Sequence, residues 1–528
     1  MRFFDHFSKQ TLSVLALASS LALFSCEDHR MPPVEQTLPD RIFFALSDNN
    51  QLHEINVKNT ASPLRSFAIT GLESGDVLAG IDFRPATGQL YAISKQSNLY
   101  QVNFKTGDQQ GKATRIGTAP IATTLAGAEI GFDFNPTVDR IRVVTSTAQN
   151  LRLHPETGAV VAGDSPLNGP ANPMVGAVAY TNSRAGVTAA PAGVGTTLYD
   201  IDPAADMLYI QNPPNPGALV AVGGLGLDIS EVGGFDISPD VNASDVYPIA
   251  SVKFDGKWEL DFVDLTSGRL QKLGDLPTGV NIVGIAIPSL PVAYALDAAN
   301  KLTIFNPLSG SELGSKAIGG LPAGVVLLGI DIRPVNGRLH ALGNNSKIYG
   351  VDLGSGLATE LVSLKLADSS PVTLSGTYFG VDFNPAADRL RVVSDNGQNL
   401  RINVTDGVTI VDGTITGTSP FITAVAYTNS YPGVVAANTA LYDIDSQANI
   451  LYKQTPPNDG ILTDPKNLGV DVSPDLGFDI GNTTGTAYGI FTVGGTTSVY
   501  TVDLVTGAAQ LKYGFSSATK GLALGFGL

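Results

Sequence analysis

Along most of the chain apolar and polar residues alternate over four to eight positions, as in QLYAI at 89–93 and NLYQV at 98–102, and turns rich in Pro, Gly or Asn separate the runs. Side chains of a strand project to opposite faces in turn, so such runs predict short strands. No sustained 3.6-residue apolar spacing follows in the mature chain. The pattern predicts an all-β protein.

Only the N-terminus departs from this pattern. Residues 11–24 (TLSVLALASSLALF) form an uncharged, mostly apolar run behind Arg2 and Lys9, too short to span a bilayer and suited to a signal peptide covering 1–25. Cys26, the single cysteine, follows Leu23-Phe24-Ser25, which resembles the lipobox of bacterial lipoproteins, where the cysteine is lipidated and becomes the new N-terminus. Acyl chains contribute about 0.8 kcal/mol per buried CH₂, so acylation at Cys26 holds a protein on a membrane without a spanning helix. Residues 26–41, polar and with Pro32-Pro33, read as a lipidated tether. The expected address is the bacterial cell envelope, at the outer membrane, with the periplasmic and outward faces both open.

The rest of the chain repeats itself. GFDFNPTVDRIRVVTSTAQNLRL at 131–153 returns as GVDFNPAADRLRVVSDNGQNLRI at 380–402, and GIDFRPATGQL at 80–90 returns as GIDIRPVNGRL at 329–339. AVAYTNS, LYDID and a GFDI phrase recur likewise, so 42–288 and 292–528 are tandem copies. Within each copy the phrase Gly, apolar, Asp, apolar opens three units of about 50 residues, each carrying about four short strands. A four-stranded sheet leaves both faces apolar, and a ring of such sheets buries them. Copy one begins with what reads as a second strand at 42–46 and ends on a lone first strand at 283–287; copy two does the same at 292–296 and 521–524. The favoured expectation is two tandem five-bladed propellers, each completed by its own last strand. A hairpin across 288–291 would instead give one ten-bladed ring, and a sandwich or solenoid is a further alternative.

The phrases GFDFNPxxDRxRVV, QNLR, AYTNS, LYDID and NPPN resemble a bacterial secreted family catalogued as domain of unknown function 4394, twice over, from about residue 42 to the end. The resemblance implies a propeller fold and an exported protein. It implies no activity.

Composition narrows the partners. A net charge of −16 opposes nucleic acid, and one cysteine excludes an internal disulfide or a cysteine-ligated metal. Histidines do not recur: His53 aligns with Thr303, His154 with Asn403 and His340 with Tyr91, which argues against a shared Ser-His-Asp triad or histidine metal site.

Two sets of polar residues do recur. Asp82, Asp133 and Asp236, with Asp331, Asp382 and Asp479, stand at one point of the first strand of their units. The favoured role is a staple to backbone amides; a Ca²⁺ site or an acid/base pair for glycoside cleavage are the lesser readings. The other set is Arg140, Arg142, Gln149, Asn150 and Arg152, with Arg389, Arg391, Gln398, Asn399 and Arg401. Guanidinium forks suit carboxylates, so these residues are candidates for an anionic or sugar ligand, while an internal Asp–Arg ladder locking neighbouring blades is the favoured account of the same residues. Tyr180-Thr181-Asn182 and Tyr427-Thr428-Asn429 offer a weaker sugar edge, and Asp200, Asp202, Asp443 and Asp445 read as turn caps. The function expected is a lipid-anchored binding or scaffold module presenting loops to a protein or glycan, without cofactor or catalysis; the alternative is an envelope polysaccharide-acting enzyme using paired carboxylates.

Overall fold

The computed structural model describes residues 28–32, 38–161, 163–240, 242, 245–417 and 420–528. Cys26 and the signal segment lie outside the described residues. These residues build ten four-stranded antiparallel sheets and two 3₁₀ turns, Ala436–Asn438 and Pro457–Asp459, in a propeller-like, tandemly repeated arrangement. Among the described residues no helix is long and apolar enough to cross a membrane.

Strand Ile282–Ala286 pairs with Ile42–Ser47 of its own copy, Ala45 standing opposite Ile285. Strand Gly521–Leu524 pairs with Ala293–Leu296, Tyr294 opposite Ala523. The hairpin across 288–291 that a single ten-sheet ring requires therefore does not form, and that alternative is corrected. Each returning strand completes a sheet whose edge would otherwise be open.

The first strands of the other sheets also meet. In copy one Leu78–Phe83 touches Ile130–Asn135, which touches Ala177–Tyr180, then Glu231–Ile237, then Ile282–Ala286, which returns to Leu78–Phe83. Copy two repeats the cycle through Leu327–Arg333, Phe379–Asn384, Ile422–Tyr427, Gly477–Ile480 and Gly521–Leu524. Glycine in the repeated phrase permits this approach. A Cβ at Gly131 would stand 3.1 Å from the Val178 nitrogen, and one at Gly380 2.6 Å from the Val425 nitrogen.

Strand alternation explains the core. Phe43, Ala45 and Ile55 pack on one side against Ile249, Leu260 and Ile285, while Phe44, Leu46 and Leu52 pack on the other against Ile81, Phe83 and Leu90. Each large apolar side chain so buried contributes about 1.5–3 kcal/mol, which is why both faces of every sheet need a neighbour. Part of the segment expected as a tether is docked: the His29 amide donates to Gly226 O, the Met31 amide to Leu270 O, and Arg30 pairs with Glu259 and Asp261.

The two copies adhere through polar contacts. Arg84, fully buried, forms an ion pair with Asp139 and donates from Nη1 to Gly337 O of the second copy at 2.9 Å. Glu156 pairs with Arg338, and Tyr294 Oη donates to Ala86 O at 2.7 Å.

Candidate functional site

The aspartates of the repeated phrase project from the middle of the first strands into buried surroundings. Asp82 accepts the Phe83 amide on Oδ1 and the Phe134 amide of the next sheet on Oδ2, both at 2.7 Å. Asp133 accepts Tyr180 N on Oδ1 at 3.0 Å, and Asp236 accepts Ile237 N and Ile287 N at 2.6 and 2.5 Å. Where the preceding sheet carries alanine, Ala179 or Ala286, the aspartate takes the amide of its own next residue. Six carboxylate oxygens thus face five amides, and Asp133 Oδ2 is left buried without a hydrogen-bond partner.

These three carboxylates offer ligand oxygens that all lie within 4.8 Å of one another. Burial, followed by the charges of Asp82 and Asp236, pushes the Asp133 carboxyl well above the usual range. Burial with the Asp236 charge does the same to Asp82, and burial raises Asp236 to about 7.

In copy two Asp331 accepts Ile332 N and Phe383 N at 2.7 Å, Asp382 accepts Tyr427 N, and Asp479 accepts Ile480 N and Leu524 N at 2.6 Å. Burial raises Asp331 to about 6, and burial followed by the charge of Asp331 pushes Asp382 and Asp479 well above the usual range.

The arginine constellation lies between sheets. Arg142, 1% exposed, binds Asn150 Oδ1, Asp164 Oδ2 and Asn215 Oδ1 at 2.7, 2.9 and 2.9 Å, and Arg152 pairs with Asp164 at 2.8 Å. Arg391, Asn399, Asp412, Asn458 and Arg401 reproduce the arrangement. Gln149 and Gln398 each clasp a preceding loop, through Thr124 O and Thr373 O. Arg140 reaches Asp352 of the other copy at 2.9 Å, whereas Arg389 donates to Ala387 O and Asp388 O. Asp202 and Asp445 bond the amides of their following turns. Asp200 and Asp443 have no hydrogen-bond partner on either oxygen, and burial lifts both carboxyls well above the usual range despite Arg142 and Arg391.

Sequence reasoning missed a wide opening in the first copy. At the N-terminal ends of the five first strands of copy one lies a cavity of about 660 Å³, with Asp48, Glu129, Asp206, Asp228 and Glu231 in its wall against Lys95, and with Trp258 beside Gly233. Glu129 accepts Val232 N at 3.3 Å and stands at about 7, raised by burial and then by the charges of Glu231 and Asp202. The matching end of copy two holds only about 10 Å³. Tyr378 occupies the place of Glu129 and Phe421 that of Met174, with ring centroids 5.9 Å apart. Ala298, Asn449 and Pro474 replace Asp48, Asp206 and Glu231.

No curated protein matches the chain. A solved structure of a protein from Lactobacillus plantarum is similar over 64% of this chain and 97% of its own, at 15% identity and a TM-score of 0.27. A family model matches residues 51–286 and again 301–523, and the chain accordingly belongs, through two tandem copies, to the family described as Domain of unknown function (DUF4394).

Proposed function

We propose that each copy is a five-bladed propeller and that the protein is a lipid-anchored envelope module whose first copy holds a protein or glycan partner in its mouth. Carboxylates and an indole edge around a cavity of about 660 Å³ carry this reading. Cavities of this size suit one small ligand or a protruding loop. The acidic wall favours hydroxyl-bearing or basic partners and opposes polyanions. Closure of each copy is supported by its returning strand and its cycle of first-strand contacts. The envelope address rests on residues 23–26, and it predicts that Cys26→Ala moves the protein from the membrane to the soluble fraction.

One observation favours a second reading, cleavage of an envelope polysaccharide: Glu129, raised to about 7 beside Glu231, has the property a general acid needs. The aspartates at the strand centres are less suited to that chemistry, because amides hold five of the six oxygens in copy one.

A glycan array probed with a soluble chain begun at residue 27 tests the binding reading. Glu129→Gln with Glu231→Gln is expected to weaken retention at least tenfold, and Asp475→Asn in the second copy to leave it unchanged. Equal loss in both variants, or none in either, would contradict a first-copy site. Release of reducing ends from a bound glycan, abolished by Glu129→Gln alone, would select the enzyme reading.

A further inference from the structure

The axial carboxylates differ between the copies in one atom. The five amides of the first strands satisfy five of the six oxygens in each trio. In copy two the sixth, on Asp382, is not among the described side-chain atoms left buried without a partner, and among the described residues that trio does not bring its ligand oxygens within 4.8 Å of one another. In copy one it is Asp133 Oδ2, on a residue 1% exposed, with no donor at all. An unpaired buried oxygen forfeits its hydration with nothing in return, the more so when charged, so its persistence beside two further carboxylates calls for a positive partner.

We propose that Asp82, Asp133 and Asp236 bind one calcium ion on the axis of the first copy. The donor set is oxygen only, which selects a hard cation over zinc or copper. Ligand oxygens that all lie within 4.8 Å of one another surround a point no more than about 2.8 Å from any of them, so side-chain shifts of a few tenths of an ångström bring all three to the roughly 2.4 Å that calcium prefers. Magnesium demands a regular octahedron at about 2.0–2.1 Å and holds its water, which three strand-anchored carboxylates serve poorly. Entry follows from the cavities: the acidic mouth and a narrow gap of about 10 Å³ share Ile130, Gly233 and Val283 in their walls. The glycines along that gap, Gly80, Gly131, Gly234 and Gly284, place no side chain in it. This inference stands on the carboxylates alone and is independent of which partner the mouth holds.

The test uses a soluble chain begun at residue 27, stripped with EDTA and titrated with CaCl₂ or MgCl₂ at pH 7.5 in a calorimeter, with metal content measured after desalting. One calcium per chain is expected, with a melting temperature that rises with calcium and a much smaller response to magnesium. Asp133→Asn and Asp82→Asn should each weaken calcium binding at least tenfold, and Asp382→Asn should not. The proposal fails if the native chain takes no calcium up to millimolar concentration. Unchanged binding in a folded Asp133→Asn chain overturns it too. So does a stoichiometry of two in which Asp382→Asn lowers binding as much as Asp133→Asn. Should one first-copy variant fail to fold, the native stoichiometry and the Asp382→Asn chain still decide.

Discussion

The two copies share a frame and differ at its mouth. Strand pairing, axial aspartates and arginine clusters match residue for residue, because each is needed to close and pack the sheets. The open end does not match: acids and a wide cavity in the first copy face Tyr378, Phe379 and Leu476 in the second. Duplication leaves one copy free to fill its cleft with rings and hold the frame, while the other keeps polar groups in a wet cavity that contributes little to packing. Recurrence across the copies thus reports the frame, and its failure points to the site.

Two changes would break or sharpen this comparison. The larger effect is expected where the copies meet. Arg84 is fully buried with Asp139 and Glu156, whereas its counterpart Arg333 is 17% exposed and pairs with Asp388 at 30%. Removing one partner of a buried pair strands a charge, so Arg84→Ala should lower unfolding stability by about 3–5 kcal/mol in urea. Arg333→Ala should cost about 1 kcal/mol, as a partly solvated pair does. Equal losses would mean that the copies do not adhere through this contact.

A smaller effect concerns acidity at the mouth. Glu129 is raised from 4.5 to about 7 in the folded chain, so the folded state holds its proton more tightly than the unfolded state. Its contribution is present below about pH 4.5 and is lost as pH rises through 7. Glu129→Gln should flatten that interval of the stability profile by about 2 kcal/mol, after discounting for partial exposure. Copy two, with tyrosine there, offers no matching group. An unchanged slope in the variant would show that Glu129 is not held as the geometry describes.

Much of the frame was legible in the sequence. Alternation gave the strands, and the unpaired strand at each end of a copy foretold the pairing of 282–286 with 42–47. The recurring Gly-x-Asp phrase marked where first strands touch, since glycine admits the neighbour and aspartate takes its amide. Arg142 and Arg391 were legible as polar and clustered, but not as buried: their partners Asp164, Asn215, Asp412 and Asn458 come from segments 21 to 73 residues away. Docking of residues 28–32 was not legible either, because Arg30 owes its place to Glu259 and Asp261 on a distant strand. The mouth escaped for a different reason. Glu129, Glu231 and Trp258 are single occurrences, and requiring every functional group to recur discarded them; the mismatch of Glu129 with Tyr378 inside an otherwise conserved phrase was the available signal.

The proposed closure within each copy underlies all of this, and an engineered disulfide measures it directly in a soluble chain begun at residue 27, which has no native cysteine. Ala45→Cys with Ile285→Cys places two thiols on register partners, and rapid oxidation to a cross-linked species of altered mobility on a non-reducing gel is expected. Cross-linking instead between Ile285→Cys and Tyr294→Cys, across the 288–291 connection, would contradict the account.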